Sequence, residues 1–274
     1  MIFRRLIWAA LAVALLVGSL QSGLQQLQAV PIILAAEVYE GQKAEAPEPA
    51  APALAATHAH ADGVAHDHGD AAEAWAPADG AERLFWTWVA NGLHAFSMAL
   101  LVLAVMGLCL WRGARQRSLP LALWTAAAGW LVFHLWPSLG LPAEIPGMDA
   151  ARLGSRQGWW LLAAGSAALA CASVAALRSP LRWVAALAWL ALPFVVGAPH
   201  IAADPLAGFT GEAHASLRQL GEAFVWATTW LSVSFWLGLG LVAGPAFERW
   251  LRPALAHALS PAGTTAGTPA EAAP

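Results

Sequence analysis

The sequence predicts an all-α integral membrane protein, a bundle of about six transmembrane helices, with five as the alternative count. Three observations predict it. Of 274 residues, 59% are hydrophobic and only 11% are charged, whereas soluble domains carry about 25% charged residues. The apolar residues gather into runs that approach or exceed the roughly 20 residues a spanning helix needs. The arginines then sort to one side of those runs, as the positive-inside rule requires.

The first run, 6–34, begins after Arg4 and Arg5. MIFRRLIWAALAVALLVGSLQSG has the basic start and small residues of a secretory signal. The apolar character resumes through LQAVPIIL, so residues 1–36 are expected to form a retained transmembrane helix. Residues 37–82 are rich in Ala, Pro, Asp, Glu and His. With almost no large apolar side chains they cannot offset the entropy of ordering, and a disordered loop is expected. The helical bundle is expected at 83–250, with spans near 84–111, 119–139, 159–177, 181–199 and 222–247. Pro137 and Pro193 interrupt the third and fifth spans and keep the five-span count open. Residues 251–274 are expected to be a disordered cytoplasmic tail.

With the N-terminus in the cytoplasm, the inner turns hold Arg4, Arg5, Arg112, Arg115, Arg117, Arg178, Arg182, Arg249 and Arg252. The outer side holds Lys43, Arg83, Arg152, Arg156 and Arg218, and all the acids except Glu248 and Glu271. Trp residues at 86, 88, 111, 136, 159, 160, 183 and 250 fall near predicted helix ends, as interfacial belts do. The expectation is a multi-pass protein of the bacterial inner membrane with a cationic inner face and an anionic outer face.

On that outer face lies THAHADGVAHDHGD, residues 57–70. His58, His60, His66 and His68 form two H-x-H pairs, with Asp62 and Asp67 between and beside them. Neutral imidazole suits Zn, Cu, Ni and Co, and carboxylate adds oxygen donors. His-rich tracts are a metal-binding composition, and this one is expected to capture a divalent ion with modest affinity, because binding must order the chain. The alternative is a low-complexity tract whose histidines are incidental.

Three histidines fall in or at the ends of helices, where ionisable groups are costly and face a bundle interior or a water-filled path. Asn91, His94 and Met98 share one helical face. His134 sits in FHLWPSLGLP and His200 closes LPFVVGAPH. Glu37 is placed at a similar depth. Gln21, Gln25 and Gln28 make a polar stripe on the first helix. A transport path opening outward, lined by Gln25, Glu37, Asn91, His94, Met98, His134 and His200, is the functional expectation. Interhelical hydrogen bonding serves the glutamines equally well. Gly240 and Gly244 make a G-x-x-x-G pair, a close-packing face. His214 and His257 receive no role.

The absences narrow the class. There is no Walker phosphate loop, no H-E-x-x-H and no G-x-S-x-G, and no nucleophile beside a base, so no catalytic residue is assigned and the chain is not expected to be an enzyme. Cys109 and Cys171 lie far apart in apolar runs and suggest no disulfide framework. The net charge of −3 gives no reason to expect nucleic acid as a partner.

Several stretches, in order along almost the whole chain, resemble the CbtA family of proposed cobalt transporter subunits associated with cobalamin synthesis. They are FRRLIWAALAVALLVGSLQSGLQQLQAVPIILAAEVYE, the His-rich segment, WAPADGAERLFWTWVANGLHAFSMALL, FHLWPSLGLPAEIPGM, RQGWWLLAA and LPFVVGAPH. The EVYE, GLPAEIPGM and GAPH stretches are the most specific. The resemblance implies a membrane protein of five spans working with CbtB, a small one-helix subunit carrying its own histidine motif. It also implies an emphasis on Glu37, Glu40, His134 and His200. The resulting expectation is uptake of a divalent transition metal, cobalt(II) first, as substrate, with no permanently bound cofactor. Nickel, zinc or copper transport, a non-transporting metal sensor or scaffold, and an intramembrane enzyme are its rivals.

Overall fold

The structure, a computed structural model, describes residues 2–40, 43, 77–78 and 80–259. Every regular element among them is helical. Helix α1 (Ile2–Gln28) is followed after one residue by α2 (Val30–Glu40). The sequence predicts one unbroken helix here. Pro31 has no N–H to give to the carbonyl of Leu27, and its ring crowds that carbonyl, so the helix breaks. The break is a kink rather than a loop, because Ala29 N–H still reaches Gln25 O at 3.0 Å.

Helix α3 (Ala81–Trp111) runs back along α1. The two approach so closely that a Cβ on Gly18 would stand 2.9 Å from Gly92 Cα. After a turn, α4 (Ser118–Trp130) leads into a π turn at Leu131–Leu135 and the short α5 (Trp136–Ser138). Helices α6 (Leu153–Ala176) and α7 (Leu181–Val196) form a hairpin. Helix α8 (Gly211–Ala246) continues through a second π turn, Phe247–Leu251, into α9 (Arg252–Leu259).

Five helical stretches are long and apolar enough to cross a membrane: Ile2–Gln28, Ala81–Trp111, Ser118–Ser138, Leu153–Ala176 and Gly211–Ala258. The choice between five and six turns on α7 alone. Its 16 residues rise about 24 Å, short of the roughly 30 Å hydrocarbon core. Large apolar side chains face outward from the bundle, among them Leu16, Trp124 and Val195, the last 81% exposed. That outward apolar surface is what lipid solvates.

The main core joins α1, α3, α4 and α8 through Val13, Val17, Val102, Leu103, Met106 and Leu239, with alanines between them. Small residues let these backbones close up. The G-x-x-x-G pair on α8 is one such place: a Cβ on Gly244 would meet Leu119 Cα at 2.9 Å, and one on Gly240 would meet Ala126 Cβ at 3.1 Å. A smaller cluster sets the π turn of α4 against α6, through Val132, Ala164 and Ala167. Trp136 and Trp159 tie α5 and α6 to α7 by donating their indole N–H groups to Leu190 O and Pro193 O at 3.1 and 3.0 Å.

A third cluster caps the end of the bundle where α2 sits. Ala36, Ile145, Leu206, Phe209 and Leu217 bring together α2, the loops 139–152 and 197–210, and the start of α8. Asp149 N–H bonds Pro205 O at 2.8 Å across the two loops. Lys43 pairs with Asp149 at 2.7 Å and lies over the Phe209 ring.

Two expected boundaries are corrected. Residues 37–40 and 81–82, placed in the loop by sequence, are helical. Residues 252–259, placed in the tail, form α9, because Leu251 is buried and Leu255 packs against the main core. The remainder of the expected loop and tail lies outside the described residues.

Candidate functional site

His58, His60, His66, His68, Asp62 and Asp67 lie outside the described residues. The other seven residues expected from sequence are described; Gln25 and Asn91 meet, and the seven do not gather at one place.

Gln25 and Asn91 come together in the seam between α1 and α3. Asn91 Nδ2 donates to Gln25 Oε1 at 2.7 Å and lies 3.0 Å from Ser22 Oγ, which itself donates to Gly18 O. One turn of α3 nearer its start, Trp88 donates to Ser19 Oγ at 2.9 Å. These bonds link helices, the role weighed equally for the glutamines. Glu37 pairs with Arg83 at 2.9 Å and so fastens α2 to the start of α3.

His94 turns toward α8, its ring centroid 4.9 Å from that of Phe235. Aromatic contacts continue from Phe235 to Trp236, from Trp236 to Phe133 and from Phe133 to Trp160. Met98 packs against the main core. The row therefore starts at His94 and ends at Trp160, and the His134 ring lies outside it.

His134 lies inside the π turn, and its cause is close by. Pro137 has no N–H for the carbonyl of Phe133, the usual partner four residues earlier, and the helix widens there. The His134 ring stacks on Trp130, centroids 6.3 Å apart. Both His134 Nε2 and Trp130 Nε1 are buried without a hydrogen-bond partner among the described residues. Such a group is costly in an apolar interior, and π turns occur often at functional sites.

His200 is exposed and lines a cavity of 540 Å³ at the capped end, between the loops 139–152 and 197–210 and the start of α8. The same cavity is lined by His214, for which no role is expected from sequence. His214 Nε2 lies 2.8 Å from Asp204 Oδ2. The other oxygen of Asp204 accepts from Leu206 N–H at 3.0 Å. That amide bond first, and the His214 contact second, hold the Asp204 carboxyl below the ordinary carboxylate range. Glu144 and Arg156 pair at 2.6 Å in the wall that this cavity shares with a second one of 610 Å³, where Trp160 lies. The span expected at 222–247 begins at Gly211 instead, which places His214 in the first turn of α8 rather than in a loop. Among the described residues no three His, Cys, Asp or Glu side chains converge tightly enough to hold a metal ion as they stand.

A family model described as "Probable cobalt transporter subunit (CbtA)" matches residues 3–248. The chain belongs to the CbtA family. No curated protein and no solved structure matches it. Membership accounts for a multi-pass membrane chain concerned with transport, with cobalt as the substrate the family description names, and for a subunit that works with partners. It also places the chain in a transporter family rather than an enzyme family.

Proposed function

We propose that this CbtA-family chain is the membrane subunit of a cobalt(II) uptake system of the bacterial inner membrane that supports cobalamin synthesis. The observation that carries the reading is the family match over residues 3–248, laid on a helical bundle whose capped end gathers carboxylates and histidines. The N-terminus is cytoplasmic in this reading, and the capped end faces outward. Residues 57–70 capture the ion through His58, His60, His66 and His68 with Asp62 and Asp67, and a CbtB-like one-helix subunit is the partner. The path runs from His200 toward His134 and His94, with Gln25, Glu37, Asn91 and Met98 framing it.

Electrical work is sufficient to drive such uptake. The membrane potential is worth about 2.3 kcal/mol per charge per 100 mV, so a divalent ion moving inward gains about 4.6 kcal/mol per 100 mV. Weak ligation along the path suits transport, because an ion must leave as readily as it arrives.

The test is labelled-cobalt accumulation in cells lacking other cobalt importers. The chain is expressed alone, with its one-helix partner, and with the partner and His134→Ala, with nickel, zinc and copper as competitors. Accumulation that requires this chain, and competition led by cobalt, is the expected result. No accumulation with both proteins in the membrane would overturn the uptake reading in favour of a sensor or scaffold.

A further inference from the structure

The 540 Å³ cavity is separate in sequence from residues 57–70 and is lined by two histidines, His200 and His214. We infer that it is a docking site for a divalent transition-metal ion in which His214 supplies the imidazole ligand and Asp204 positions it. The inference rests on the uptake reading above for its place in transport, and on geometry for the site itself.

The chemistry follows from which atoms are engaged. An ionised carboxylate only accepts hydrogen bonds, so the 2.8 Å contact makes His214 Nε2 the protonated nitrogen. Nδ1 then carries the free lone pair whenever the ring is neutral. An imidazole donating one N–H to a carboxylate and offering its other nitrogen to a metal is the usual arrangement of a metal-bound histidine. Asp204 is itself fixed, since Leu206 N–H holds its second oxygen. His214 lies in the first turn of α8, so its backbone belongs to a long helix rather than a loop.

Three of the carboxylates that line the cavity are matched by cations, Glu144 by Arg156, Asp149 by Lys43 and Glu222 by Arg218. Among the described residues Asp204 keeps only His214 and the Leu206 amide, and His200 adds a second imidazole to the lining. With no three donors converging, the ion keeps much of its water and binds through one or two imidazoles. Such a site exchanges quickly, which suits the head of a pathway better than a cage would.

The experiment uses the full-length chain in lipid nanodiscs with His58, His60, His66 and His68 changed to Gln, so that residues 57–70 contribute no imidazole. Cobalt(II) is titrated and followed by visible absorption and calorimetry. The chain is expected to bind cobalt, with affinity falling about 10–100-fold in His214→Ala and in Asp204→Asn. His214→Cys is expected to add a near-ultraviolet thiolate-to-cobalt band, which a merely structural role for His214 would not produce. Unchanged affinity in His214→Ala, together with no new band in His214→Cys, would overturn the site. Cellular accumulation is read in parallel. Accumulation without cavity binding sinks this inference and leaves the uptake reading standing; cavity binding without accumulation does the reverse.

Discussion

Asn91 Nδ2 donates to Gln25 Oε1 at 2.7 Å, and this bond closes the seam between α1 and α3 where Gly18 and Gly92 bring the backbones into contact. Replacing Asn91 with Leu should destabilise the bundle modestly. A double-mutant cycle of Asn91→Leu with Gln25→Leu, read from unfolding in bicelles, should give a coupling of about 0.6 kcal/mol, and no more than about 1.7. A coupling near zero would mean that the two side chains do not depend on each other.

The contact of Gly244 with Leu119 makes a steeper prediction. Gly244→Leu forces α4 and α8 apart where an added Cβ already lies 2.9 Å from Leu119 Cα, and should cost about 1–3 kcal/mol or more. Gly23→Ala is the control, because nothing lies within 4 Å of its added Cβ. Thermal unfolding in detergent compares the two, and equal melting temperatures would refute the close packing.

His134 and Pro137 are tested through flux. His134→Ala should lower metal accumulation at every external concentration by about tenfold, the lower end of what a lost metal-site contact costs. Pro137→Ala restores the N–H whose absence widens the turn, and should lower flux while leaving the amount of protein in the membrane unchanged. Normal flux in both variants would remove the π turn from the path.

Residues 57–70 act at a different range of concentration. Their deletion should raise the external metal concentration needed for half-maximal uptake and leave the maximal rate intact. A loss of maximal rate equal to the loss at scarce metal would show that the segment does more than collect ions.

Asp204 makes the pH prediction. Its folded carboxyl titrates below its unfolded value, so its stabilising contribution is complete above the unfolded pKa of about 3.9. That contribution is lost only as pH falls through the lower folded value. Hydrogen exchange at Leu206 N–H, corrected for its intrinsic rate, should therefore stay protected through the ordinary aspartate range and open below it. In Asp204→Asn this pH step should vanish.

The helical architecture was legible because lipid imposes a composition: the long spans announce themselves by apolar length. The break at Ala29 was also written in Pro31, but a run of uniform hydropathy masks a single missing hydrogen bond. Helix α9 escaped notice because PALAHAL is too short to stand alone and owes its helix to Leu251 and Leu255 meeting the core. At the site, Gln25 and Asn91 were each legible as membrane polar residues, but their partnership across helices was not. The π turn around His134 needed three-dimensional context. The pairing of His214 with Asp204 joins a loop to a helix start, and periodicity says nothing about such a contact.

The shortness of α7 has a consequence for the membrane around the protein. A helix about 24 Å long beside spans of 21 residues or more leaves a hydrophobic deficit on one flank. There the bilayer thins, or the flanking Arg182 and Trp183 reach outward to the headgroups, each at a fraction of a kcal/mol per Å. On that flank the insulating layer is at its narrowest, so the same transmembrane voltage falls over a shorter distance and the field is steepest there.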